Sequence, residues 1–317
     1  MLVRIIKDWK GDIFRQIPGR TRVWDGIAFT EDSIRKCDLL LVLNSTTQNE
    51  IVYVATKGKW LFSQEPPVDV YRWHPKIFNY FDRVYTFWEI QSPNIFHSQT
   101  ALPWLINKSY DDLINMTAAT VIQDKQDKVS WVTSDAREKP GHFLRLEFKS
   151  FLETSGFKFD IFGRGFTPIE DKFDAIYPYK YSIAIENYSC NDYWTEKISD
   201  CFLSWTVPIY YGAKNITQYF PKEAMILIDL NDKKKSLEII NEAMDDNFYQ
   251  RSIPYIEEAR ELILNKYQLF PWVVKLINES GIDFNKKKWI FIPKNTGPQH
   301  TFLKKFKRFI NKKVPIS

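Results

Sequence analysis

Apolar residues fall in two spacings along this chain, and the two alternate. Short apolar runs of strand length recur at 1–6, 39–43, 51–55, 59–63 and 84–87. Leu39-Leu40-Leu41-Val42-Leu43 holds no polar residue and is bounded by Asp38 and Asn44-Ser45-Thr46, the pattern of a parallel strand covered on both faces. Residues 92–127 carry few strand signals and read as a connection with a short helix near 111–116. A second series then begins. Strands are predicted at 129–134, 158–162, 181–185, 207–212 and 225–228. Helical spacing appears at 142–154, 236–244, 253–267 and 270–280, and Ile198, Cys201 and Phe202 keep the i, i+3, i+4 interval of one buried helix face. Strand–helix alternation in both halves predicts an α/β protein of two Rossmann-like domains facing across a cleft. The expected division is 1–126, 127–285 and an extension over 286–317.

The densest chemistry lies in 181–212. A strand ends in Glu186-Asn187, a polar loop follows, and Tyr193, Thr195, Glu196 and Lys197 crowd the start of a helix. Charged groups at such a junction are where open α/β sheets bind ligands, and a helix N-terminus beside a lysine suits a phosphate. Ile185-Glu186-Asn187-Tyr188, Asp192-Tyr193-Trp194-Thr195-Glu196-Lys197 and Thr206-Val207-Pro208 through Gly212 together resemble the donor-binding signature of the α1,3/4-fucosyltransferases, glycosyltransferase family 10. Ile185 and Tyr188 stand where that family often has Phe and Ser. The resemblance implies a GT-B architecture, an inverting transfer from GDP-fucose, and a donor site in the second domain made by Arg145, Glu186, Asn187, Tyr193, Glu196 and Lys197.

Composition adds few constraints. Hydrophobic content is 44% and aromatic content 16%, enough Trp and Tyr for sugar-stacking surfaces as well as two cores. The three cysteines, Cys37, Cys190 and Cys201, are few and lack metal spacing, which fits a reducing compartment. There is no D-x-D, and His74, His97, His142 and His300 are scattered, so no metal site is expected and no cofactor beyond the donor substrate. The leaving diphosphate would then be neutralised by cations and helix dipoles. Lys197 is one such cation. Arg145, one turn into the first helix of the second domain, is the other, and an arginine fork fits phosphate in a bidentate manner. Its bland alternative is a surface arginine paired with Glu138 or Glu147. Glu196 would accept sugar hydroxyls or stabilise charge developing on the sugar, or simply favour a helix start. Tyr193 and Asn187 would position donor groups, or pack and turn. Glu186 would touch the donor, or tie loop amides together.

A single displacement needs a group to take the acceptor proton. Phe62-Ser63-Gln64-Glu65-Pro66-Pro67 resembles the family's F-E-S-P element, which implies Glu65 as the base; Glu50 and Asp69 are weaker alternatives. The acceptor expected is an oligosaccharide or lipid-linked glycan bearing N-acetylglucosamine. A transferase using another sugar nucleotide and a catalytically silent glycan- or nucleotide-binding protein remain open.

The net charge of +5 is concentrated at the end of the chain. Residues 299–317 carry six basic residues and no acids, interleaved with Phe302, Leu303, Phe306, Phe309 and Ile310 at helical spacing. Such a segment suits an anionic membrane surface, or packs on the body with its basic side solvated; nucleic acid is not among the expected partners. The first residues lack the apolar core of a signal peptide, and no run is long enough to span a bilayer. The expected location is the cytoplasmic face of an inner membrane.

Overall fold

The computed structural model describes residues 1–295, so the expected basic tail, 299–317, lies outside the described residues. The first sheet is built from β1 (Leu2–Lys7), β2 (Val23–Trp24), β3 (Ile27–Thr30) and β4 (Leu39–Leu43). β5 (Glu50–Ala55) leaves it; β6 (Lys59–Phe62), β7 (Arg83–Thr86) and β8 (Ile95–His97) complete it in the order β2-β3-β1-β4-β6-β7-β8. All its pairings are parallel except β2 with β3. The apolar run of β4 is fully buried because β1 and β6 flank it and both faces are covered.

The connection holds two short helices, α1 (Tyr110–Ile114), capped by Ser109 and Asp112, and α2 (Ala118–Val121). A second sheet follows: β9 (Gln126–Val132), α3 (Pro140–Thr154), β10 (Asp160–Phe162), α4 (Lys172–Ile176), β11 (Tyr179–Ile185), α5 (Glu196–Leu203), β12 (Val207–Tyr211) and β13 (Ile226–Leu227). Its strands are all parallel, in the order β10-β9-β11-β12-β13. α6 (Lys233–Asp245) and α7 (Phe248–Leu262) close the unit, and α8 (Leu269–Asn278) follows. α5 buries Ile198, Cys201 and Phe202 as their spacing predicts.

Several elements differ from expectation. β9 starts at Gln126, three residues before the predicted strand, and β8 was not predicted; it is a three-residue outer edge with no periodicity to read. α7 starts at Phe248 because Asn247 adopts a left-handed conformation (φ 52°) that separates it from α6, and its end widens into a π-turn at Ile263–Tyr267. β5 is a strand but joins neither main sheet. It pairs antiparallel with β14 (Lys287–Ile292), within the residues expected to form an extension.

The halves also exchange packing. Leu269, Phe270, Val273 and Val274 of α8 sit in the core of the first sheet, although the sequence places them in 127–285. Trp104, Ile106, Tyr110 and Leu113 sit in the core of the second, although they precede residue 127. Polar ties reinforce this: Thr100 Oγ1 donates to the Trp194 carbonyl at 2.7 Å, and Gln99 Nε2 to the Tyr267 carbonyl at 2.8 Å. No helix among the described residues is long and apolar enough to cross a membrane.

Candidate active site

Both sheets reverse their strand order about their first strand. In the first sheet β1 lies between β3 and β4; in the second β9 lies between β10 and β11. Chains leaving the carboxyl ends of the strands at such a point diverge and open a crevice. The two crevices meet in one cavity of about 350 Å³. The first sheet contributes Trp9 and Lys10 after β1, Asn44 after β4, and Gln64 and Glu65 after β6. The second contributes Lys139 before α3, and Asn187, Tyr193, Glu196 and Lys197 after β11. A larger hollow of about 580 Å³ beside β13 is lined mainly by Met225, Ile226, Leu227, Ile239 and Phe248. It lacks the convergent charges of the smaller cavity, where the chemistry is therefore placed.

On the second-sheet side, Thr195 caps α5, its side chain accepting from the Lys197 amide. Lys197 Nζ is 3.1 Å from Glu186 Oε2 and 3.4 Å from Glu196 Oε1. Burial alone would lower the pKa of this ammonium, but the two carboxylates raise it, so Lys197 is a fixed cation. Burial likewise pushes Glu196 up, yet Lys197 and Lys172, the latter 3.2 Å away, hold it well below the usual carboxylate range. Lys172 also meets Asp200 at 3.4 Å. Burial raises Asp200 to about 6, and its Oδ1 accepts the Leu105 and Ile106 amides at 2.8 and 3.3 Å. That contact fixes the connecting segment, and with it Leu102, Pro103 and Leu105, as one wall of the cavity.

Arg145 is not in the lining of the cavity but lies buried near Glu186, Glu196 and Tyr193. It is 7% exposed, its Nε has no hydrogen-bond partner, and among the described residues it forms no ion pair. Glu147, a predicted alternative partner, instead meets Lys233 at 3.3 Å. Burial lowers the pKa of the guanidinium, opposed by the fields of Glu186 and Glu196. The first turn of its helix presses on the end of β11: a Cβ at Gly141 would stand 2.0 Å from the Asn187 carbonyl oxygen. The Asn187 side-chain oxygen is also buried without a partner. A buried donor and a buried acceptor left open beside a charged cavity are groups that a polar ligand can satisfy.

Glu65 enters from the opposite sheet. Its backbone carbonyl accepts the Trp88 indole N–H at 2.8 Å, and its Oε2 is 3.9 Å from Lys139 Nζ. Lys139 in turn donates to the Tyr71 hydroxyl at 3.2 Å and lies over that ring, 4.6 Å from its centroid. Burial raises the pKa of Glu65, against the opposing influence of Lys139 and a hydrogen bond from Tyr71. A carboxylate raised by desolvation and still open to a cavity is suited to accept a proton. Glu50 is buried in an ion pair with Arg4 at 2.9 Å, and Asp69 is exposed beside Arg72, so neither alternative reaches the cavity.

The structure thus brings together Glu65, Asn187, Tyr193, Glu196 and Lys197, with Arg145 buried near them. Glu186 differs from the expectation of donor contact. Its side chain is fully buried, and its oxygens accept from the Thr195 amide and hydroxyl at 2.8 Å and pair with Lys197. Glu186 holds the start of α5 and Lys197 and does not line the cavity. Tyr193 lines it but is only 3% exposed, packed 4.7 Å from Phe87 of the first sheet. Lys139, Lys172, Asp200, Trp9 and Lys10 were not predicted. Trp9, Lys10 and Lys139 follow the carboxyl ends of strands, a signal that could have found them; Lys172 and Asp200 carry none, since only the packing of α4 on α5 joins them. Among the described residues no group of three or more His, Cys, Asp or Glu is placed to hold a metal ion.

Residues 122–252 match the model of "Glycosyltransferase family 10 (fucosyltransferase) C-term". The "GDP-fucose protein O-fucosyltransferase 3" of Danio rerio is 26% identical over 240 residues, 70% of this chain and 52% of that protein. The "Alpha-(1,3)-fucosyltransferase B" of Drosophila melanogaster is 36% identical over 70 residues, 22% of this chain and 16% of that protein. The chain thus spans at most about half the length of these relatives. A crystal structure of α1,3-fucosyltransferase with GDP superposes with a TM-score of 0.50 at 16% identity, covering 85% of this chain and 92% of that one, and shows the shared GT-B fold. Residues 122–252, the stretch that builds most of the second sheet, are thus similar to the C-terminal part of glycosyltransferase family 10, the fucosyltransferases.

Proposed function

We propose that this chain transfers L-fucose from GDP-fucose to an acceptor hydroxyl with inversion at the anomeric carbon. The observation that carries the reading is the meeting of Glu65 with Glu196 and Lys197 across one cavity between two switch points. The donor diphosphate would lie against Arg145, Asn187 and the start of α5, with Lys197 neutralising the charge that grows as the sugar leaves. Tyr193 would fix the nucleotide side and Glu196 the sugar side. Glu65 would take the acceptor proton as the hydroxyl attacks the anomeric carbon and the bond to GDP breaks. Cations and amide dipoles in these positions would serve in place of a metal.

Two acceptor classes fit this reading. A glycan hydroxyl, in α1,3 or α1,4 linkage on an N-acetylglucosamine-containing oligosaccharide or lipid-linked glycan, is the first. A polypeptide hydroxyl is the second, favoured by the printed name of the Danio rerio relative. Residues 299–317 would hold the enzyme on an anionic membrane surface, at the cytoplasmic face. The test is calorimetric titration with GDP, GDP-fucose, UDP and ADP in EDTA. Binding of GDP and GDP-fucose alone is expected. Preference for UDP or ADP would replace the donor, and no binding without added metal would remove the metal-free reading. GDP-fucose binding without transfer to any glycan or peptide would leave a silent binding protein.

A further inference from the structure

The ribbon formed by β5 and β14 has apolar residues on both faces. Strand alternation sends Val52, Val54, Ile290 and Ile292 inward, where they pack in a cluster with Leu40, Val42 and Leu61 of the first sheet. It sends Ile51, Tyr53, Trp289 and Phe291 outward. The register makes these four contiguous: Trp289 stands opposite Tyr53, and Phe291 opposite Ile51. The Trp289 and Tyr53 rings are 5.5 Å apart. Phe291, Ile51 and Trp289 are 58%, 55% and 55% exposed, above every other large apolar side chain among the described residues. Apolar residues of this size scattered singly need no explanation; three of the most exposed on one two-stranded face do.

The surroundings of this face are cationic. Lys286 and Lys294 flank β14 in sequence, Lys288 lies within it next to Trp289, all three are exposed, and Lys57 lies just past the end of β5. Exposed Arg35 and Lys36 run along the other edge of β5, where Tyr53 N–H donates to the Arg35 carbonyl. The nearby acids are engaged: Glu50 is buried against Arg4, Asp38 is paired with Lys287, and Asp283 lies 3.5 Å from Lys286. Pro293 to Asn295 are held to the body through Thr46 and Asn49, and the basic residues of 299–317 follow shortly in the sequence.

We propose that the outer face of the β5–β14 ribbon docks on an anionic lipid surface. Trp289, Phe291, Ile51 and Tyr53 enter the headgroup layer, where aromatic side chains with a polar edge are stable, and the surrounding lysines and arginine meet the lipid phosphates. This site is separate from the cavity and does not depend on the transferase reading.

The experiment is co-sedimentation of the full chain with phosphatidylcholine vesicles, with and without phosphatidylglycerol. The intact protein binds the anionic vesicles. Ile51→Thr, Trp289→Thr and Phe291→Thr combined lower its partition by about tenfold or more, while nucleotide binding is kept. Lys288→Glu with Lys294→Glu leaves the apolar face intact and lowers partition to the anionic vesicles alone. Unchanged partition in both variants overturns the proposal. So does a lipid-free dimer that the triple substitution dissociates, since the face would then belong to a second copy.

Discussion

Lys197 stands between Glu186 and Glu196 on the first turn of a helix whose amides point the same way, so its charge is held in place before any ligand arrives. Among the described residues Arg145 has no such partner, and its Nε is open. Removing either cation is expected to weaken GDP binding by about 1–3 kcal/mol, the range of a hydrogen bond to a charged group. Titration of Lys197→Ala and Arg145→Ala checks this, and unchanged affinity in both would remove the donor site from this wall. Glu65→Gln keeps size and polarity but cannot take a proton; nucleotide binding should persist while turnover falls about 100-fold. In the proposed role Glu65 acts ionised, and burial raises its pKa above that of an ordinary glutamate, so activity should fall, as pH drops, at a higher pH than an exposed glutamate would give. Lys139→Met removes the opposing cation and should move that limb higher still. A limb that stays in place in Lys139→Met would separate Lys139 from the base.

At the scale of elements, the proposed donor wall depends on how closely α3 meets the end of β11. Gly141 lets the helix touch the Asn187 backbone, and a methyl group there would meet the carbonyl oxygen at 2.0 Å. Because the obstacle is backbone, Gly141→Ala should destabilise the fold by about 1–3 kcal/mol, read from the denaturation midpoint, and also weaken GDP binding by displacing Arg145 and Asn187. Destabilisation with unaltered GDP affinity would uncouple the helix from the site. The signature segment was legible as β11, α5 and β12 because its apolar spacing and its polar interruption coincide. β5 was legible as a strand but not in its partner. Its residues Val52 and Val54 alternate with Ile51 and Tyr53 as in any half-buried strand, and only β14, more than two hundred residues later, determines which sheet it joins.

For the whole molecule, the two sheets are held as one body by exchanged segments, by Thr100 on Trp194, and by the cluster of Phe87, Trp88, Cys190 and Tyr193. That arrangement makes Glu65 from one sheet and Lys197 from the other line the same 350 Å³ space. Deleting 299–317 should reduce binding to anionic vesicles and leave transfer to a soluble acceptor intact; retained vesicle binding would take the membrane role from the tail. The sequence alone determined the strand–helix alternation, the polar block at 186–197 and the separation of Glu65 from it, because periodicity and local chemistry are written in neighbouring residues. Tertiary structure decided that Glu186 supports Lys197 instead of facing the cavity, that Lys139 crosses to Glu65, that Lys172 and Asp200 pin one cavity wall, and that α8 returns to the first core. Each of these depends on contacts between residues distant in the chain, whose pairing comes from the register and packing of whole elements and leaves no local pattern to read.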